Sequence, residues 1–286
     1  MSAALIATIA EVRRRLGELR RAGKTIGFVP TMGALHAGHT ALIGRARIET
    51  DHVCVSIFVN GPQFDRRDDY LAYGIDLAHD VTLCEAHGVD TIFTPAEQEM
   101  YAAAPSTAVE VAGVSERLCG KFRPGHFRAV ATVVAKLFHI VGPDRAYFGR
   151  KDAQQLAVIE RMVRDLNFPV EIVPVPTVRE ADGVALSSRN QRLSAEERRV
   201  APVLFEALRL GQEMVSRGAA SARDIRQAIL HRLHEATPMR VEYVEVVDPA
   251  NMIPIENVSG PVLIAAAVWL GQTRLIDNVS CETPAL

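Results

Sequence analysis

Short apolar runs alternate with helical patterns up to about residue 175, and this alternation constrains the fold more than any other feature of the chain. The helical patterns place apolar residues at every third or fourth position, as between Val130 and Val141 and between Leu156 and Leu166. Consecutive parallel strands need a crossover, so the alternation predicts βαβ units in one parallel, doubly wound sheet. The predicted strands, bounded by turn formers, are Thr25–Pro30, His52–Val59, Thr91–Thr94, Arg145–Phe148 and Val170–Val175.

The pattern changes after Thr177. Prolines and a polar stretch interrupt the alternation, and a capping box of Ser194 and Glu197 then precedes a long helical pattern. We therefore predict an α/β fold in which a Rossmann-like sheet domain covers residues 1–177 and a smaller α+β domain covers residues 178–286. The second domain is predicted to contain two helices and three strands, at Ala195–Ser216, Ala222–Ala236, Val241–Val247, Val262–Trp269 and Thr273–Asn278.

Composition excludes several functional classes. The chain has 286 residues, of which 48% are apolar and 23% charged, so it can bury a large core and is not a disordered chain. The formal net charge of −2 lacks the basic excess of proteins that bind nucleic acid or membrane surfaces. No apolar run approaches the roughly 18 residues of a membrane span. Four cysteines without a C-x-x-C pair indicate neither a zinc site nor a redox dithiol.

The N-terminus is predicted to be helical. Apolar residues from Leu5 to Leu19 recur at helical spacing among several arginines, and no basic segment precedes an apolar run of the secretory type. We therefore expect a cytoplasmic protein without a signal peptide.

The first candidate motif, Pro30–His39 (PTMGALHAGH), follows the first predicted strand and precedes a helical pattern. Open α/β sheets bind ligands at the carboxyl ends of their strands. Small residues let a ligand approach the backbone, a helix N-terminus offers N–H groups to phosphate, and His36 and His39 can donate to phosphate oxygens. A plain strand–turn–helix junction with solvated histidines is the alternative, but the position after a buried strand favours a phosphate site.

Two more motifs follow predicted strands. In VNGPQF, the neutral amides of Asn60 and Gln63 can bind a hydroxyl or a carboxylate, although N-G-P is also an ordinary turn. In FGRKDAQQ, Lys151 can place a charge on a phosphate, Asp152 can cap a helix, and Gln155 lies one turn into that helix. A cap beside a solvated lysine is the alternative for the second of these motifs.

The fourth motif, Val178–Asn190 (VREADGVALSSRN), falls at the predicted domain boundary. Ser187, Ser188 and Arg189 provide two hydroxyls and a guanidinium in succession, a set that suits a polyphosphate. A loop at a domain boundary can close over a site. A linker rich in turn formers is the alternative.

Taken together and in this order, the strings PTMGALHAGH, KDAQQL and PTVREADGVALSSRN resemble the pantothenate synthetase (pantoate–β-alanine ligase) family of the nucleotidylyl transferase superfamily. The resemblance extends from the N-terminal helix to the string RLIDN near the C-terminus. It implies condensation of pantoate with β-alanine through a pantoyl adenylate, with release of AMP and pyrophosphate. It also implies ATP as a substrate, Mg²⁺ as a cofactor and a homodimer.

The resemblance also implies roles for individual residues. His39 matches the main catalytic histidine and His36 its partner, while Lys151 and Arg189 match residues on the phosphates. Asp80 matches a magnesium-associated acid. Gln63 and Gln155 match substrate contacts, and Asn60 is a further candidate substrate contact because of its amide group. The matched ATP contacts are Met32, Gly33, Ala34, Leu35, His36, Ala37, Gly38, His39, Gly149, Arg150, Lys151, Asp152, Val178, Leu186, Ser187, Ser188 and Arg189.

The chain departs from the family pattern near the expected site. The usual N-P-x-Q-F has Gly61 in place of its proline, Y-P-R continues with Gly74 and Ile75, F-G-E-K-D has Arg150 for its acid, and R-P-x-H-F-x-G ends in Ala129. Proline fixes its own φ, so moving it changes the constraint on that loop. Two alternatives therefore stay open: a nucleotidylyl transferase that acts on another small acid, and a paralogue that binds nucleotide without turnover.

Overall fold

The computed structural model describes residues 2–71, 73–74, 76–101, 105–219 and 221–282. Six parallel strands form the larger sheet: β1 (Ala4–Ile6), β2 (Ile26–Thr31), β3 (His52–Ile57), β4 (Thr91–Phe93), β5 (Arg145–Gly149) and β6 (Glu171–Val175). The helices along the same stretch are α1 (Ile9–Arg21), α2 (Ala37–Glu49), α3 (Arg67–Leu71), α4 (Leu77–Ala86), α5 (Glu97–Met100), α6 (Cys119–Phe122), α7 (His126–Val141) and α8 (Ala153–Asp165).

The strand order β1-β4-β3-β2-β5-β6 confirms the predicted doubly wound α/β fold. The chain passes from β2 to β3 on one side of β2 and later returns to β5 on the other side. The carboxyl end of β2 therefore lies at a topological switch point, where open α/β sheets form their binding crevice. The middle strands are buried on both faces, as the exposures of Phe28, Val55, Ile92 and Tyr147 show, each at 0%.

The N-terminal segment differs from the prediction. The apolar residues that begin at Leu5 were expected to belong to a helix, but Ala4–Ile6 pairs with Thr91–Phe93 as a parallel edge strand. The helix starts at Ile9 because Thr8 caps it, its side chain accepting a hydrogen bond from the Glu11 N–H at 3.3 Å.

A second, antiparallel sheet has three strands in the order β7 (Arg240–Val247), β8 (Val262–Leu270) and β9 (Thr273–Cys281). Two long helices of this part, α10 (Pro202–Ser216) and α11 (Ala222–His234), share a buried apolar core with the sheet. Leu208, Ile225 and Ile264 lie in that core at 0% exposure. The predicted α+β character of this region is confirmed.

The long helix predicted over Ala195–Ser216 is in fact two helices. The capping box is present, since Ser194 Oγ accepts from the Glu197 N–H at 3.2 Å and Glu197 Oε2 accepts from the Ser194 N–H at 2.8 Å. The first helix, α9 (Ala195–Val200), ends before Pro202, which begins α10. Proline lacks an N–H and suits only the first turn of a helix, so it separates the two.

The residues group into two compact units. The first contains Met1–Ser115, Arg123–Arg150 and Val158–Pro176, and the second contains Glu116–Phe122, Lys151–Ala157 and Thr177–Leu286. The division at residue 177 and the binding roles attached to each part stay predictions. Every helix among the described residues is too short or too polar to cross a membrane.

Candidate active site

The first motif forms a tight turn at the carboxyl end of β2. Gly33 and Ala34 both have left-handed backbone angles, with φ of 85° and 51°. Thr31 Oγ1 accepts a hydrogen bond from the Gly33 N–H at 3.3 Å and donates one to the Ser56 carbonyl at 2.7 Å, which ties the turn to β3. The backbone then extends to His36, which is the N-cap of α2.

Both histidines of the motif are oriented by backbone N–H groups. The Gly38 N–H donates to His36 Nδ1 at 3.1 Å, and the His36 N–H donates to His39 Nδ1 at 3.2 Å. The two ring centroids are 4.3 Å apart. A nitrogen that accepts a hydrogen bond carries no proton, so each imidazole is neutral here and holds its proton on Nε2. The motif thus offers two Nε2–H donors at the positive end of a helix.

Glycine at position 38 has a specific steric reason. A Cβ built there would lie 2.8 Å from His36 Cε1 and 3.0 Å from His36 Nδ1. Any larger residue would displace the imidazole or break the hydrogen bond that orients it. Glycine is therefore needed at position 38 so that the His36 ring can accept the hydrogen bond that caps α2, and not only to give a ligand access to the backbone.

Asp80 is hydrogen-bonded to the backbone of this turn. Its side chain is on α4, is 0% exposed, and accepts hydrogen bonds from the Ala34 N–H at 3.0 Å and the Leu35 N–H at 2.8 Å. The two hydrogen bonds use one carboxylate oxygen each. The structure therefore gives Asp80 a contact with the motif, and its assignment to magnesium stays a prediction.

Asn60 and Gln63 lie next to each other after β3, on a short 3-10 turn at Gly61–Gln63. Asn60 Nδ2 donates to Gln63 Oε1 at 3.0 Å, and Tyr101 donates its hydroxyl to Asn60 Oδ1 at 2.6 Å. Asn60 is only 1% exposed, so the structure favours a role in which Asn60 holds the Gln63 side chain over a direct contact with a ligand. Gln63 is partly exposed, and its Nε2 lies 2.8 Å from the sulfur of Met32, which joins this loop to the first motif.

The backbone of this loop is held by Arg123 and His126. The Gln63 carbonyl accepts from Arg123 Nη2 at 3.1 Å and from His126 Nδ1 at 2.8 Å. Arg123 also donates to Asp65 from Nε at 2.9 Å and from Nη2 at 2.7 Å. Partial burial opposes ionisation of Asp65, but the hydrogen bonds and charge of Arg123 outweigh it, so the pKa of the Asp65 carboxyl is lowered.

The departures from the family pattern near this loop have local consequences. A Cβ on Gly61 would meet the Tyr70 ring at ordinary distances of 3.6 Å or more, so the position has room for a side chain. The Ala129 carbonyl accepts weakly from Asn60 Nδ2 at 3.4 Å. A Cβ on Gly74 would meet nothing within 4 Å. Ile75 lies outside the described residues.

The third motif forms a 3-10 turn, Arg150–Asp152, directly before α8. The Lys151 carbonyl accepts from Asn278 Nδ2 at 2.8 Å. Within the part of the chain that the structure describes, no ion pair or hydrogen bond engages the Lys151 ammonium group, which leaves it available to an anion. Its position on a strand-to-helix junction agrees with a phosphate contact.

The two neighbouring glutamines of this motif differ in their surroundings. Gln154 is buried, with Oε1 accepting from the Cys119 N–H at 2.9 Å and Nε2 donating to the Arg117 carbonyl at 2.6 Å. Gln155 is partly exposed in the first turn of α8. The structure thus gives Gln154 a packing role and leaves Gln155 as the candidate for a ligand.

The fourth motif begins with a small antiparallel turn, in which Arg179 bridges to Ala185. Arg179 makes a bidentate ion pair with the buried Asp277, at 2.6 and 3.0 Å, and lies 3.7 Å from the centre of the Phe205 ring. Gly183 has a φ of 92°, and a Cβ there would clash with the Phe205 ring, so the turn requires glycine. These contacts anchor the first half of the motif.

The second half of the motif presents the predicted phosphate residues. The Leu186 N–H donates to the Val178 carbonyl at 3.0 Å, and Ser187 Oγ accepts from the Arg189 N–H at 3.3 Å. Ser187 thereby caps a 3-10 turn over Ser188–Arg192. Ser188 and Arg189 thus lie in this short turn and Ser187 at its start, and the hydrogen bonds of the turn hold their backbone.

The structure brings the predicted residues into two groups. Met32, His36, His39, Gln63 and Asp80 are connected by the contacts of the first unit. Tyr101, Arg123 and His126 belong to the same network, yet sequence reasoning gave them no role. In the second unit the described contacts tie Val178 to Leu186 and Lys151 to Asn278. A helix N-terminus with two neutral imidazole donors and a nearby primary amide suits a nucleotide together with a small polar acid.

Comparison with known proteins identifies relatives along almost the whole chain. Residues 4–280 match the family described as pantoate-beta-alanine ligase. The pantothenate synthetase of Moorella thermoacetica is 52% identical over 278 residues, which cover 97% of this chain and 98% of that protein. The pantothenate synthetase of Geobacillus kaustophilus is 51% identical over 276 residues, with 96% and 92% covered.

Solved structures agree. The crystal structure of pantothenate synthetase from Thermus thermophilus has a TM-score of 0.91 at 45% identity and covers 96% of this chain and 98% of its own. A pantoate-beta-alanine ligase from Francisella tularensis, complexed with beta-gamma ATP and beta-alanine, has a TM-score of 0.79 at 32% identity, with 97% of each chain covered.

Proposed function

The chain belongs to the pantoate-beta-alanine ligase family, and from this premise we propose that it joins pantoate to β-alanine in an ATP-dependent reaction that forms pantothenate. The observation that carries the proposal is the pair of Nε2-protonated imidazoles at the N-terminus of α2, connected through Met32 to the amide of Gln63. This arrangement joins a phosphate-binding group to one that can hold a hydroxy acid.

The chemistry requires activation of a carboxylate, which is a poor acyl donor. A pantoate carboxylate oxygen attacks the α-phosphorus of ATP, the bond to the bridging oxygen breaks, and pyrophosphate leaves. The amine of β-alanine then attacks the acyl carbon, the carbon–oxygen bond to AMP breaks, and the amine loses its proton to solvent. No protein nucleophile is needed, so catalysis rests on positioning and on donors placed where negative charge develops.

The residues divide these tasks. His36 and His39 donate from Nε2 to phosphate oxygens, and the turn Met32–His39 lies against the nucleotide at the positive end of α2. Lys151 and Arg189 supply positive charge to the phosphates. Gln63 and Gln155 bind pantoate, with Asn60 holding Gln63, and the further ATP contacts are Gly149, Arg150, Asp152, Val178, Leu186, Ser187 and Ser188.

Magnesium is the expected cofactor of a reaction that uses ATP. Among residues 2–282 as far as they are described, no group of three or more His, Cys, Asp and Glu side chains is arranged to hold a metal ion. Asp80 has both oxygens bonded to backbone N–H groups. These residues do not fit a dedicated magnesium cage. We expect Mg²⁺ to enter with the triphosphate, because substrate phosphates commonly supply its ligands.

The family premise carries two further expectations. We expect a homodimer, which sedimentation equilibrium would measure directly. We also expect the reaction to take place in the cytoplasm, where ATP is available, and fractionation of cells that produce the protein would check this.

The proposal is tested with pantoate labelled with ¹⁸O in its carboxylate. Turnover with ATP, Mg²⁺ and β-alanine should yield pantothenate by mass spectrometry, together with AMP that carries one labelled oxygen. The label moves because the attacking carboxylate oxygen stays on the α-phosphorus. Exchange of labelled pyrophosphate into ATP should require pantoate and not β-alanine.

Other outcomes point to the alternatives. Labelled phosphate with ADP would indicate an acyl phosphate in place of the adenylate. Pyrophosphate release with pantoate but no amide product would indicate a nucleotidylyl transferase, and ATP binding without turnover would indicate a nucleotide-binding paralogue. A matched pair of variants distinguishes the activity of this protein from that of a contaminating enzyme. Lys151→Met should lower the exchange of pyrophosphate into ATP by about 10²-fold. Lys24→Met, which removes an exposed ion pair with Asp51, should not lower it.

A further inference from the structure

Asp80 is the one fully buried carboxylate that contacts the first motif among the described residues. It lies in the first turn of α4, where the helix dipole favours a negative charge. Its two oxygens accept the N–H groups of Ala34 and Leu35, which are 46 and 45 residues away in the sequence. A buried carboxylate is retained only where such hydrogen bonds replace its hydration.

The two hydrogen bonds hold the turn at a point where its backbone is unfavourable. Ala34 has a φ of 51°, a left-handed conformation that alanine rarely adopts. The adjacent Gly33 takes up its own positive φ without cost, so Ala34 is the residue whose conformation needs support. Without an acceptor for both N–H groups, the chain would relax toward a common backbone region and move the residues that follow.

The residues that follow are the two histidines. His36 lies two positions after Ala34, and the His36 backbone N–H is the donor that orients the His39 ring. The N-cap position of His36 in turn depends on the direction in which the chain enters α2. A rotation at Ala34 would therefore change the hydrogen bonds at both Nδ1 atoms.

We propose that Asp80 is a positioning residue of the active site, whose carboxylate holds Ala34 and Leu35 and thereby sets the place and the Nε2–H tautomer of His36 and His39. The inference rests on the proposed function for its kinetic consequences, but its structural part stands on these contacts alone. It differs from the magnesium role expected from the sequence, because both oxygens serve the backbone.

The test is Asp80→Asn, which keeps the side-chain shape but turns one acceptor into a donor facing an N–H. We expect kcat to fall by about 10²-fold, as for a displacement of about 1 Å at catalytic groups. The KM for pantoate should change less than twofold, since Gln63 is not touched. The Mg²⁺ concentration for half-maximal rate should be unchanged. The matched control is Glu85→Gln on the same helix, which removes a carboxylate charge whose hydrogen bonds go to Ser2 and Ala3 and should keep full activity.

A second readout does not depend on turnover. With ¹⁵N-labelled histidine, NMR of the intact protein should show His36 and His39 as Nε2–H tautomers in the wild type and as averaged or mixed tautomers in Asp80→Asn. Glu85→Gln should retain the wild-type signature. If the wild type makes no pantothenate, the proposed function fails, while these spectra still decide the role of Asp80.

Several results would overturn the inference. Wild-type kcat and wild-type imidazole spectra in Asp80→Asn would do so, and so would a loss of activity that excess Mg²⁺ restores, which would make Asp80 a metal ligand. If Asp80→Asn does not fold, Ala34→Val perturbs the same turn from its partly exposed side, because a β-branched residue resists positive φ. Unchanged kcat and spectra in that variant would equally contradict the proposal.

Discussion

Replacing Tyr101 with phenylalanine is expected to weaken pantoate binding indirectly, through Asn60 and the proposed pantoate contact Gln63. The Tyr101 hydroxyl donates to Asn60 Oδ1 at 2.6 Å, and Asn60 Nδ2 donates to Gln63 Oε1 at 3.0 Å. Burial raises the pKa of Tyr101 to about 12, so the phenol stays protonated and remains a donor through the neutral range. The variant removes this donor and leaves the rest of the ring in place.

The magnitude follows from the burial of Asn60. Because this side chain is 1% exposed, water does not replace the lost partner, and an unpaired buried oxygen costs about 1–3 kcal/mol. The amide can relieve that cost by rotating, but it then releases Gln63. Since 1.4 kcal/mol corresponds to a factor of ten, we expect the KM for pantoate to rise by about 10-fold, with kcat and the KM for ATP within twofold of wild type.

The assay is steady-state release of AMP with each substrate varied in turn, together with the pantoate Kd from calorimetry. The control is Tyr147→Phe, which removes a buried hydroxyl that donates to Glu49 at 3.1 Å and should cost stability without altering any KM. A loss of unfolding free energy in Tyr101→Phe with an unchanged pantoate KM would refute the reasoning. So would equal rises in the KM values for pantoate and ATP.

Three further predictions address the remaining groups. His39→Ala should lower kcat by about 10²–10³-fold in a folded protein, as for loss of a preorganised donor, and stopped-flow pyrophosphate release would measure it. Gln155→Ala should weaken pantoate binding more than ATP binding, and titrations that showed equal losses would count against the role of Gln155 in holding pantoate. Burial lowers the pKa of His52 below its usual value near 6.5, so as the pH falls the unfolded chain takes up this proton at a higher pH than the folded chain does. The free energy of unfolding should therefore be at its full value above pH 6.5 and decrease below it. His52→Gln should flatten the dependence of the urea midpoint on pH between about 5 and 7.

Periodicity predicted most of the elements because their signals are local. A run such as His52–Ile57 is apolar at every position since both faces of its strand are buried, and the capping box of Ser194 and Glu197 acts within one helical turn. The prediction failed where local patterns allow two outcomes. Ala4–Ile6 is too short to show a strand period, and Pro202 suits the first turn of a new helix, so the pattern did not reveal the break.

In the candidate site, too, local features were predicted from the sequence and long-range contacts were not. The sequence order of the motifs identified the family and the two histidines, because residues at one strand end and one helix start are neighbours along the chain. It did not reveal the contacts of Tyr101 with Asn60 or of Arg123 with Gln63, which are separated by 41 and 60 residues. The magnesium role that the resemblance gave Asp80 stays a prediction, and the hydrogen bonds of its carboxylate with two backbone N–H groups about 45 residues away were visible only in the folded chain.

The sequence by itself determined the family and which residues are candidates for the chemistry, because hydrogen-bonding type, charge and helical or strand period are properties of residues within a few positions of one another. Only the tertiary structure decided what each polar group does. Whether an amide or carboxylate meets a ligand or a buried backbone depends on which distant segments the sheet order brings beside it, and burial then makes every unpaired polar atom costly. Asn60 and Asp80 are buried where long-range partners occupy their oxygens, and for that reason we propose that they hold other residues of the candidate site in place.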